Sequence, residues 1–203
     1  MWFKPVALTC LAMGLSSPAL AQQALDPLNL QEIAIAKSAL LGSVTVRQSL
    51  GSQPYYTIIN VERHNEPKGT TSSGRRADVI LYNYTTNETI SAVVSVAGGS
   101  PRIDAMRVTK DPPPPLGADE TEAARQMAFA NPAVQTRLLG AGVAASDPSL
   151  IVTHLFGRTD DTRDPCAKNR CVLLFFNTPA QFLFPAVVDL TERRVRVIDA
   201  PER

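Results

Sequence analysis

Neither sign of charge is in excess in this chain: 20 Lys and Arg stand against 19 Asp and Glu over 203 residues. That balance excludes the electrostatic footprint of a nucleic-acid or anionic-lipid binder. Histidine is scarce, with His64 and His154 the two in the sequence. Cysteine is rare as well, and beyond the first 21 residues only Cys166 and Cys171 occur. The apolar run from Val6 to Leu15 is too short to span a bilayer, and no longer one follows. There is no Gly-x-Ser-x-Gly nucleophile turn. There is no phosphate-binding glycine loop either, because Ala97-Gly98-Gly99-Ser100-Pro101 runs on into a strand pattern.

What is present begins with a leader. Residues 1 to 21 have a positive end at Lys4, the apolar run, and the small-x-small site Ala19-Leu20-Ala21, the layout of a secretory signal peptide cleaved after Ala21. Cys10 does not fit a lipoprotein site, since Thr9 precedes it and the apolar run continues past it. Removing Lys4 with the leader brings the basic residues level with the 19 acidic ones. The expected product is secreted or periplasmic. In an oxidising compartment Cys166 and Cys171 are most simply one disulfide. Closing so short a loop stabilises by about 2 kcal/mol in the chain-entropy model.

The chain then repeats itself. Pro-Leu-x-x-x-Glu occurs at Pro27 to Glu32 and again at Pro115 to Glu120. In the first copy Asn29 and Glu32 form a helix-capping pair, and Ile33, Ala36 and Leu40 make an apolar stripe ending near Gly42. Four strand patterns follow, around residues 55–63, 77–84, 89–96 and 102–108. The proline-rich stretch 110–117 is a stiff linker. After it, residues 118–130 and 132–140 read as helices, with Asn131 as cap, Pro132 at the first helical position and Gly140 as terminator. Four more strand patterns close the chain. Helix-then-antiparallel-strands, twice, predicts an α+β fold of two duplicated domains, 24–109 and 118–200, each a helix on a curled antiparallel sheet.

Three stretches carry a resemblance. "LDPLNLQEI", "RRADVILYNYTTNETISAVVSV" and "PPLGADETEAARQMAFANPAVQTRLLGAGV", with "AVVDLTERRVRVID" at the end, resemble the two small N-terminal domains of copper-containing amine oxidases over Leu25 to Asp199. The resemblance implies two tandem cystatin-like domains without the large catalytic β-sandwich. The family's chemistry needs three histidines on copper, a tyrosine in Asn-Tyr-(Asp/Glu) that becomes topaquinone, and an aspartate base. His64 and His154 lie in different units and cannot make that set, and Asn83-Tyr84-Thr85 lacks the acid. The expectation is therefore no enzyme activity and no cofactor: copper and topaquinone belong to the missing domain.

Other candidates are weaker than their ordinary readings. Asn83 and Asn87 head glycosylation sequons at a hairpin, which matter only in a eukaryote. Glu62, His64 and Glu66 alternate, as if on one wet strand face, and His154 reads as a hydrogen-bonded strand residue. Gln48-Ser49-Leu50-Gly51 does not match the Gln-x-Val-x-Gly loop of cystatin inhibitors. Phe175, Phe176, Phe182, Leu183 and Phe184 crowd one late hairpin, either as core or as a patch for a protein partner. The expected function is an exported, non-catalytic binding or accessory module, with no nucleic acid and no membrane anchor. The alternatives are a separately encoded part that docks on an amine oxidase catalytic subunit, and a small-ligand carrier.

Overall fold

The chain runs helix then antiparallel strands, twice. The computed structural model describes residues 26–66, 74–97 and 100–199, so the leader expected at 1 to 21 lies outside the described residues. The first unit comprises α1 (Leu30–Gly42), α2 (Val44–Leu50), β1 (Tyr56–Arg63), β2 (Arg76–Asn83), β3 (Glu88–Ser95) and β4 (Arg102–Thr109). The second comprises α3 (Ala118–Ala130), α4 (Pro132–Gly140), β5 (Ile151–Gly157), β6 (Cys171–Asn177), β7 (Phe182–Asp189) and β8 (Arg194–Val197). The two sheets are antiparallel meanders in the orders β1-β2-β3-β4 and β5-β6-β7-β8. The fold class is α+β. No described helix is long and apolar enough to cross a membrane.

Local sequence accounts for most boundaries. Asn29 and Glu32 close a reciprocal capping box on α1, while Asn131 caps α4 with Pro132 at its first position. The short helix α2 is an addition to the sequence reading: Ser43 ends α1 and accepts from the Val46 amide to start a new helix. Its β-branched Val44-Thr45-Val46 favours strand by propensity, and burial of Val46 and Leu50 overrides that.

Period-two alternation places Ala77, Val79 and Leu81 of β2 under Ala36 and Leu40 of α1. In the second unit Val172, Leu174 and Phe176 of β6, with Phe184, Ala186 and Val188 of β7, pack against Ala124, Ala128, Val134 and Leu138. Tyr82 and Tyr84, at the end of β2, belong to this second core and not to their own. The units are interlocked, so the proline stretch is not a free spacer. Pro114 and Gly117 are buried, and a Cβ on Gly117 would meet the Ile59 carbonyl oxygen at 3.2 Å, where the linker crosses β1.

Candidate functional site

The duplicated Pro-Leu-x-x-x-Glu string has a structural meaning: each copy is the acceptor half of an arginine clamp. Arg75, just before β2, donates from Nε to Glu32 Oε1 at 2.5 Å and from Nη2 to the Asp26 and Pro27 carbonyls at 3.1 and 2.8 Å. Arg170, just before β6, donates from Nε to Glu120 Oε1 at 2.5 Å and from Nη2 to Oε2 at 2.7 Å. Its Nη1 and Nη2 hold the Pro114 and Pro115 carbonyls at 2.9 and 2.8 Å. The glutamates also cap their helices, accepting at 2.9 Å from the Asn29 and Gly117 amides respectively. Planar, forked guanidinium suits carbonyls and a carboxylate held side by side. Sequence reasoning found the glutamates and missed the arginines.

The two clamps differ in cover. Arg75 and Glu32 side chains keep 19% and 14% of their exposure, while Arg170 and Glu120 keep 0% and 1%. The cover over the second clamp comes largely from the first unit. The Arg170 guanidinium lies 4.5 Å from the Tyr82 ring centre and 5.2 Å from that of Phe156. The Tyr84 hydroxyl donates to Glu120 Oε1 at 2.6 Å. Tyr84 stacks on Tyr55 at 4.4 Å, and the Tyr55 hydroxyl reaches the Leu190 carbonyl at 2.6 Å. Burial, then the hydrogen bond to Glu120, pushes the Tyr84 phenol far above its ordinary range. Packed and hydrogen-bonded in this way, the cluster holds the two units together, and Tyr84 is a joint residue.

The remaining candidates are dispersed. Asn83 is buried, with its amide donating to the Ser49 carbonyl at 3.1 Å and its oxygen accepting from the Thr85 amide at 3.0 Å, so a glycosylation role there is ruled out by access. Asn87 sits at the left-handed turn position (φ 54°), half-buried, accepting from the Tyr82 hydroxyl at 3.1 Å. β1 ends at Arg63, yet Glu62 is the register partner of Asp78, and His64 and Glu66 reach Asp78 and Arg76, two residues apart on β2, so the three lie on one side as expected. His64 Nδ1 contacts Asp78 Oδ1 at 2.8 Å, and Glu66 pairs with Arg76, whose guanidinium holds its carboxyl below the usual range. His154 is exposed on β5. Among the described residues no three His, Cys, Asp or Glu side chains converge as a metal set. Cys166 and Cys171 form a disulfide directly beside Arg170.

The late aromatic cluster divides between the faces of the second sheet. Phe176 and Phe184 stack in the core at 4.7 Å, the core alternative of the two, so they take no part in a surface patch, and Leu183 is half-buried against that core. Phe175 and Phe182 meet at 6.4 Å and do not belong to the core cluster. Register extends their outer face into two rows, Leu155–Leu173–Val187–Arg196 and Thr153–Phe175–Pro185. On it Leu155 is 59% exposed, Phe182 53% and Ile151 47%. The outer face of the first sheet is more polar, with Glu62, Asp78, Asn60, Ser91 and Arg107 around Ile80 and Val93. β5 differs from the other edge strands too: β1, β4 and β8 each carry Arg, Asp or Glu, and β5 carries none of these, with His154 its one ionisable residue.

No family model matches the chain, and no curated protein matches it significantly. The likeness to amine oxidase N-terminal domains rests on the residues quoted for it.

Proposed function

We propose that this is an exported, non-catalytic binding module of two tandem cystatin-like units that docks a partner protein along β5 and the outer face of the second sheet. The observation that carries this reading is the edge strand β5, free of Lys, Arg, Asp and Glu and joined to the exposed apolar residues Ile151, Leu155 and Phe182. An unprotected edge is costly to keep unless something pairs with it, and strand addition uses main-chain bonds for affinity and side-chain rows for selectivity. The partner's chemistry follows: it supplies an extended segment with apolar side chains on one side. The leader pattern and the Cys166–Cys171 bridge support export.

The test uses the mature chain, tagged at its C-terminus and captured from the exported fraction of its own host. A defined partner should co-purify with it, and Leu155→Lys should abolish capture while leaving the melting temperature unchanged. Arg107→Ser, on the outer face of the first sheet, should leave capture intact. Equal capture by both variants sinks the proposal. Copper and amine-dependent peroxide release in the eluate would identify the partner as an oxidase catalytic subunit. Self-association that Leu155→Lys removes would replace the foreign partner with a second copy.

A further inference from the structure

The interlocked units leave a cleft of about 340 Å³ at their junction, walled by the β2–β3 turn, the linker, the end of β5 and the disulfide loop. Its volume lies at the small end of the range for ligand pockets. Arg170, under Tyr82 and Phe156, forms the floor, and its guanidinium is already committed to Glu120 and the linker carbonyls. Three further cations, Lys110, Arg158 and Lys168, line the opening against the single acid Asp111.

Those three cations are available to a ligand. Lys168 has no side-chain partner among the described residues. Arg158 reaches Asp111 at 3.3 Å and Lys110 reaches Glu88 at 3.8 Å, both long pairs between largely exposed or partly exposed groups. Pairs of that kind contribute little, so a ligand bearing more charge in the same place can replace them. The frame is held in advance. The disulfide closes the loop that carries Lys168, and the Tyr82 hydroxyl fixes the oxygen of Asn87, leaving the Asn87 amide as a donor in the wall. Preorganised donors bind more tightly because less ordering is left to do.

We infer that this junction cleft binds a small oxyanion carrying two or more negative charges, a polycarboxylate or a phosphate, through Lys110, Arg158 and Lys168. It is distinct from the β5 face and does not depend on the docking proposal.

The mature chain would be titrated separately with citrate, inorganic phosphate and uncharged glycerol in low-salt buffer, by calorimetry and by backbone amide shifts. At least one anion should saturate, with shifts gathered at Asn87, Lys168 and Asn169, and glycerol should not bind. Arg158→Ala with Lys168→Ala should weaken that binding about tenfold or more, a loss of the size expected for charge-assisted contacts. These side chains are solvent-exposed, so the melting temperature should hold. Preference between citrate and phosphate identifies the anion class. Failure of both to saturate, binding indifferent to the double substitution, or shifts scattered over the surface would each overturn the site.

Discussion

Glu32 and Glu120 accept from the same kinds of donor, a helix-capping amide and the forked guanidinium of an arginine distant in sequence. Their surroundings differ, and that difference decides what losing the arginine costs. Arg170→Met strands the Glu120 carboxylate in a sealed core, where an unpaired charge costs roughly 3–5 kcal/mol. Arg75→Met leaves Glu32 within reach of water and should cost clearly less than Arg170→Met. Urea unfolding of the two variants measures this, and equal losses would refute the account. Tyr84 gives a second residue-scale prediction. Its phenol is raised by burial and by Glu120, so the folded state favours the protonated form. That stability is fully present below the unfolded tyrosine range near pH 10 and is lost as pH rises above it. Tyr84→Phe should lower stability at neutral pH by about 1.5–3 kcal/mol, as expected for a hydrogen bond to a charged group. It should also flatten the decline above pH 10. An unchanged alkaline slope in stability-against-pH data would refute this.

Among the elements, those with a clear local period were legible and those decided by distant neighbours were not. Both capping signals and all eight strands stand close to where alternation and turn residues put them. Cys171–Asn177 is apolar almost throughout, so periodicity could not say which of Phe175 and Phe176 faces the helices; pairing with Pro185 and Phe184 decides it. The arginine clamps were illegible for a related reason. Arg75 and Glu32 are 43 residues apart and Arg170 and Glu120 are 50, and no local pattern links them. The burial of the linker depends on contacts with β1 that only the assembled chain supplies. Gly117 tests that contact. Its backbone is in an ordinary extended region, so alanine is not strained there by conformation. The added methyl instead meets Ile59 backbone atoms at 3.2 and 3.3 Å. Gly117→Ala should destabilise by about 1 kcal/mol, within the usual cost of overpacking. Gly140→Ala, where nothing lies near the added carbon, should not. A thermal-melt series would separate them, and a neutral Gly117→Ala would mean that β1 yields freely.

At the scale of the whole molecule, the joint is expected to couple the two units. Tyr82 of β2 and Tyr84 just after it send their side chains into the second core, and Tyr55 bonds to Leu190 across the same boundary. A change confined to the first unit should therefore be felt in the second. Acid provides such a change. Hydrogen bonding to Arg75 holds the Glu32 carboxyl below its usual range, and Arg76 does the same for Glu66. Depressed carboxylates contribute stability that is present above the unfolded range near pH 4.3 and is lost as pH falls through their folded values. Amide protection in β2 and in β6 should thus collapse along one acid curve. Arg75→Gln removes the main cause of the Glu32 depression, so it should reduce the acid sensitivity of both strands alike. If β2 alone responds, the units are independent bodies that touch, and the interlocked aromatic joint does not couple them.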